Sequence, residues 1–369
     1  MSMQDRLDAV VDDAISRKTI VGTVVMVSKH GRAAYTRAAG QADREAGKPI
    51  AIDQIFRLAS VTKPLVAATA LAMIERGLLS LDDTVSDHLP YFTPKTADGK
   101  SANIAIRHLL THTSGLGYDY DSDPLISTGL AATEFDFEAN FSRVAKLPLS
   151  FAPGTGWQYS IAIDVLGAVI AKVTGGTLEA AVTRFVTGPL AMKDTGFHVT
   201  DLDRLAVPYG DAKPEPVRMG DPQTVLDADG GKIIFSPSRI FSKTAFQSGG
   251  AGAVGTAPDF LKFLEALRTG GGPILRPETV EMAVRNQIGD LPRREGDEGQ
   301  RFGFLSAIVV NPKEANTPAA AGTFRWGGIY GHDWFVDPAN ELSVAIFSNT
   351  AIEGCTGQYP DDIRDAVYG

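Results

Sequence analysis

Residues 60 to 77 read SVTKPLVAATALAMIERG, and the arrangement of the rest of the chain follows from this run. Between Val61 and Ile74 its only polar side chains are Thr62, Lys63 and Thr69, so it is apolar almost all round. A helix of that kind is buried between other layers. Gly77 reads as its C-terminal stop, and Pro64 is tolerable only in its first turn. The helix is therefore expected to open at Ser60, with Lys63 three positions on and facing the same side. A serine hydroxyl is a weak nucleophile until a neighbour takes its proton, which a buried lysine can do. The first turn adds free N–H groups and the positive end of the helix dipole, both suited to an oxyanion beside the serine. Alone, Ser-x-x-Lys arises by chance about once in a chain of this size. Its plainer account is an N-cap serine followed by a lysine reaching for solvent. Here no other serine has a lysine three positions later, and this one opens the most apolar helix.

The 369 residues are 44% hydrophobic and 21% charged, the balance of a soluble globular protein with a large core. A net charge of −9 argues against a nucleic-acid footprint, and no like-charge run is long enough for a polybasic membrane anchor. The single cysteine, Cys355, excludes an intrachain disulfide and a cysteine zinc site. The opening MSMQDRLDAVVDDAI sets Leu7, Val10, Val11 and Ile15 at helical spacing with acids between, unlike a secretory signal. No segment reaches the roughly 18 apolar residues of a membrane span. These features lead to the expectation of a cytoplasmic protein. None of the six histidines has metal-ligand spacing. No cofactor or metal is expected, and no G-x-S-x-G elbow is present.

Thr23 to Ser28 and Ala33 to Ala39 flank His30-Gly31 and read as a β-hairpin. From about Leu81 to Gln287 the pattern is of short helices and long loops. The best helices are 104–112, 137–146, 160–174, 178–185, 258–268 and 277–285. Strand patterning returns at 302–310, 323–327 and 342–347, with 312–321 as an exposed loop. The expected fold is α/β of the α+β type. One antiparallel sheet is built from both chain ends and flanked by helices, with a mainly helical lobe inserted. The division is about 1–80 with 295–369 for the sheet domain and 81–294 for the helical one, with the active site at their interface.

The segment Phe56-Arg57-Leu58-Ala59-Ser60-Val61-Thr62-Lys63 resembles the active-site motif of the class C β-lactamase-like serine hydrolases. Four further segments match in order: residues 106–116 (IRHLLTHTSGL), Pro153-Gly154 through Tyr159-Ser160, 188–195 (GPLAMKDT) and 255–260 (GTAPDF). The resemblance implies a β-lactamase and penicillin-binding-protein-like fold. It makes Ser60 the nucleophile and places Tyr159 beside Ser60 and Lys63 as a shared base. Where the β-lactamase motif continues Tyr-x-Asn, this chain has Ile161, which cannot donate to an amide side chain. Where those enzymes carry Lys-Thr-Gly, it has Trp326-Gly327-Gly328, and an indole suits a neutral acyl or alcohol group. Both departures resemble the family VIII carboxylesterases. The backbone N–H groups of Ser60 and Ile329 would form the oxyanion hole. Trp326, Gly327, Gly328, Ile161 and Tyr118 would line the substrate site. His112 is expected to stabilise its turn, His332 to be structural or to line the pocket, and Gly249 to Gly252 to be close packing near the site. Residues 118–123 are expected to be a solvated loop at the pocket rim.

The expected activity is hydrolysis of small or short-chain acyl esters through an acyl-enzyme on Ser60. The partner is a small-molecule ester, with no nucleic acid and no membrane, and the sequence does not give the oligomeric state. The alternatives are a β-lactamase or D-amino-acid peptidase, a transacylase on the same site, or a silent penicillin-binding or sensor protein.

Overall fold

A computed structural model describes residues 1–120, 125–131, 134–227 and 230–369. Its centre is an eight-stranded sheet, all antiparallel. The strands are β1 (Gly22–Lys29), β2 (Arg32–Asp43), β3 (Lys48–Pro49), β4 (Gln300–Phe302), β5 (Ala307–Val309), β6 (Phe324–Gly328), β7 (His332–Asp337) and β8 (Leu342–Ser348). Their order across the sheet is β4-β5-β6-β7-β8-β1-β2-β3, so β8 joins the late strands to the early hairpin, Thr23 pairing with Ser348.

Successive strand residues face opposite sides, and here both sides are covered. Val25, Val27, Phe335, Val344 and Ile346 pack under helices α1 (Met3–Ser16) and α5 (Gln358–Tyr368). Val24, Trp334, Val336, Ala345 and Phe347 face the main core with α4 (Ala257–Arg268). That core runs on into α2 (Thr62–Glu75) and α3 (Ala162–Thr174), which pack on each other. Residues 62 to 73 of α2 are all buried, as its lack of a polar face requires. Two helices lie across the expected 81–294 division: α2 packs into the helical layer, and α4 packs on the sheet.

Three elements differ from expectation. Helix α2 begins at Thr62, and Ser60 sits in a preceding 3-10 turn, Ala59–Val61. The run 302–310 is two strands, because the chain turns at Gly303, whose N–H bonds the Ser306 carbonyl at 2.9 Å. A side chain at Gly303 would meet the Ala283 carbonyl at 2.3 Å, so the turn is packed tightly. Strand β7 was anticipated only as a strand or turn at His332 and its extent was not, since HDWFVD is buried on both faces and shows no alternation.

Candidate active site

Ser60 stands half-exposed on a turn that is clamped from two sides. On one side the Leu58 N–H bonds the Ala253 carbonyl at 2.8 Å, and the Ala253 N–H bonds the Thr62 hydroxyl at 3.1 Å. On the other side lies the end of β6. A Cβ at Gly328 would stand 2.3 Å from the Leu58 carbonyl and 3.3 Å from the Val61 nitrogen, so only glycine allows this approach. Ala59, directly before the serine, is held at φ 44°, a left-handed conformation costly for a residue with a side chain. Val61 is the first residue whose N–H is satisfied inside the turn, at the Leu58 carbonyl, and the Ser60 N–H has no backbone partner among the described residues. Ile329, next after Gly328, is half-buried beside the same turn.

Lys63 lies one turn deeper and is 3% exposed. Its ammonium donates to Ser60 Oγ at 3.1 Å and to the Gly250 carbonyl at 2.8 Å. Its Nζ stands 4.7 Å from the centre of the Tyr159 ring and 5.6 Å from that of Tyr118. Trp326 closes the group by donating its indole N–H to Tyr159 Oη at 3.3 Å. The ring of Tyr159 is in turn wedged between His112, Tyr118 and Trp326, with centroids 4.8, 5.4 and 5.0 Å away. Ser60, Tyr118, Tyr159, Trp326, Gly327 and Ile329 all keep some exposure, whereas Lys63 and Gly328 do not. The half-exposed groups are those a ligand could reach, with the lysine beneath them. Burial, with Tyr159 and Asp164 nearby, holds the Tyr118 phenol well above its ordinary range, so it stays protonated.

Other expected residues take different places. Ile161 is fully buried at the head of α3, in the core beneath the site rather than on its surface. His112 Nδ1 meets Ser160 Oγ at 3.1 Å, and its carbonyl accepts the Gln158 N–H at 3.0 Å, so it fastens its turn to the tyrosine segment. Burial, then Lys63 and Arg293, push its imidazole well below the ordinary range, keeping it neutral. His332 is buried and bonds the Arg57 carbonyl through Nε2 at 2.8 Å, a structural placement. Gly249 packs under Ile163 and Gly167, as close packing near the site requires. The loop after His112 is not simply solvated: Tyr118 and Tyr120 are half-buried, while Asp121 to Asp123 lie outside the described residues. Among the described residues, no cluster of His, Cys, Asp or Glu could hold a metal ion.

The profile of the beta-lactamase family matches residues 7–367. The chain belongs to that family. Within it, esterase EstB of Burkholderia gladioli is 48% identical over 377 aligned residues, spanning all of this chain and 95% of that protein. The solved structure of EstCE1, a hydrolase with promiscuous acyltransferase activity, matches with a TM-score of 0.93 at 42% identity. That match covers 99% of this chain and 98% of the other. Simvastatin synthase LovD of Aspergillus terreus, at 24% identity, shares the fold with a TM-score of 0.78 over 100% of this chain and 98% of that one.

Two features of this beta-lactamase-family site escaped the sequence reading. Arg293 lies beneath the aromatic wall, its guanidinium 4.9 Å from the Trp157 ring and 5.8 Å from that of Trp326, and it pairs with Asp297 at 3.0 Å. Burial pushes it down to about 10. Asp164, in the first turn of α3, is fully buried and faces Lys63 and Arg239. An acid inside the run AIDVLGAVIA was the available signal, because an aspartate in a wholly apolar helix is rarely buried without a partner.

Proposed function

We propose that the chain is a serine carboxylesterase that acts on small esters through an acyl-enzyme on Ser60. The observation that carries this reading is the 3.1 Å contact between Ser60 Oγ and the buried Lys63 ammonium, under a ring of half-exposed aromatics. Ser60 attacks the ester carbonyl while the Lys63–Tyr159 pair takes its proton. Lys63 Nζ lies 4.7 Å from the centre of the Tyr159 ring, so the two are assigned together as the base. The N–H groups of Ser60 and Ile329 receive the oxyanion. Tyr159 returns the proton to the leaving alcohol, and water admitted to the same place releases the acid. Trp326, Gly327 and Tyr118 line the substrate's path, while buried Gly328 braces the serine turn beneath it. Trp326 stands where β-lactamases resemble one another in carrying a lysine, and its apolar face favours a neutral ester over a carboxylate-bearing lactam. The similarity to EstB, an esterase at 48% identity, supports this choice.

Ser60→Ala is expected to abolish turnover of p-nitrophenyl acetate and butyrate, and labelling by a fluorophosphonate. Retained turnover in that variant would sink the scheme. A chromogenic cephalosporin opened faster than the esters would move the substrate class to lactams. The EstCE1 similarity favours a second outcome of the same acyl-enzyme, transfer to an added alcohol. That outcome is read by ester product formed in the presence of the alcohol.

A further inference from the structure

Asp164 is 1% exposed, and its carboxylate bonds the segment at residues 248–250. Oδ1 accepts the Ser248 hydroxyl in a short hydrogen bond and the Gly250 N–H at 3.1 Å. Ser248 in turn accepts the Ala251 N–H on its hydroxyl at 2.9 Å and the Gly252 N–H on its carbonyl at 2.8 Å. The Gly250 peptide is therefore held by its nitrogen at Asp164, and its carbonyl accepts Lys63 Nζ at 2.8 Å. The fit leaves no room for drift. A Cβ on Gly250 would lie 2.2 Å from Asp164 Oδ2, and one on Gly129 2.2 Å from Ser248 Oγ.

Hydrogen bonding alone does not explain the residue. Oδ2 is buried with no hydrogen-bond partner among the described residues, and an uncompensated buried carboxylate is costly. The compensation is electrostatic and partial, since the carboxyl stays above its ordinary range. Burial raises the Asp164 carboxyl, and Lys63 opposes that most strongly, followed by Ser248, Gly250 and Arg239. Arg239 is itself buried, donates to the Phe246 carbonyl at 2.7 Å, and has an Nε without a partner among the described residues. Tyr118 and Tyr120 also face Asp164, and Tyr118, Tyr159 and His112 face Lys63.

We propose that Asp164 is a positioning residue: its buried carboxylate fixes the Gly250 peptide and holds the Lys63 ammonium against Ser60, with Arg239 as its second counter-cation. This rests on the reading of Ser60, Lys63 and Tyr159 as the reacting groups. Asp164 touches neither substrate nor reacting atoms and acts through Lys63. Arg239 neutralises part of the aspartate's charge, so the two residues set the field at the Ser60–Lys63–Tyr159 group with opposite signs.

Asp164→Asn tests this in the full chain, because an amide oxygen still accepts from Ser248 and Gly250 while the charge is lost. Activity is expressed per fluorophosphonate-labelled Ser60, which discounts any unfolded fraction. The expected result is a fall in kcat of about 100-fold, the scale of a catalytic group displaced by about an ångström, with KM within about threefold. The acidic limb of the pH–rate profile moves to lower pH, since removing a negative charge makes the nearby pair easier to deprotonate. Arg239→Met is the counterpart, expected to move the same limb to higher pH. Limbs that stay in place in both variants, or move the same way, overturn the inference, as does Asp164→Asn with unchanged kcat. Wild-type protein that is never labelled at Ser60 would instead overturn the reading of the site itself.

Discussion

The indole of Trp326 has two separable jobs, because its ring walls the cleft while its N–H holds Tyr159 Oη at 3.3 Å. Trp326→Phe keeps most of the wall and removes the donor. One such hydrogen bond is worth about 1 kcal/mol, so kcat is expected to fall roughly fivefold to tenfold with KM nearly unchanged. Steady-state kinetics on p-nitrophenyl butyrate separates the two; a raised KM at constant kcat would mean that the indole only binds substrate. At this scale the sequence was readable where chemistry repeats a pattern. Ser60 with Lys63, Tyr159 and Trp326 come together from three separate segments as their motifs imply. It was unreadable where a residue's neighbours come from far along the chain. Asp164 meets residues 248–250, and Arg293 meets Trp157, through contacts no local pattern announces. Ile161 was misplaced because a motif position gives an address on the chain without saying which way the side chain points.

Among elements, the decisive one is the short turn at residues 59–61, pinned between the Ala253 backbone and the end of β6. Ala59 at φ 44° persists because both neighbours over-determine it. Gly328→Ala would drive a methyl into the Leu58 carbonyl. The expected cost is about 1–3 kcal/mol of stability, as for other overpacked sites. Turnover should be lost as well, since the Ser60 and Ile329 N–H groups would part. Thermal unfolding and kcat measured together check this, and a variant with wild-type values of both would show that the turn is not clamped there. Helix α2 was legible from composition alone, because a helix with no polar face has only one kind of place to go. The 3-10 turn before it was not, since it follows from the approach of a strand more than two hundred residues later.

For the whole molecule, burying both faces of the sheet also buries titratable groups. His332 is pushed down to about 4 by burial, and His112 is lowered for the same reason. An unfolded histidine titrates near 6.5, so below that pH the unfolded chain binds protons that the folded one refuses. Stability is therefore complete above about pH 6.5 and falls as pH drops toward 4, with His332 alone contributing about 3 kcal/mol across the window. Melting temperatures between pH 7.5 and 4.5 test this, and a flat profile would contradict it. His332→Asn should flatten the slope, though at a cost in stability at neutral pH.

The pairing of Thr23 with Ser348 sets the order in which the molecule can mature. A ribosome delivers Ser60 early, but the strand that ends at Gly328 and braces the serine turn emerges close to the last. Non-local pairing of this kind is slow to form. For most of its synthesis the chain thus carries a serine without the geometry that makes it reactive, and ester turnover becomes a late signal that the two ends of the polypeptide have met.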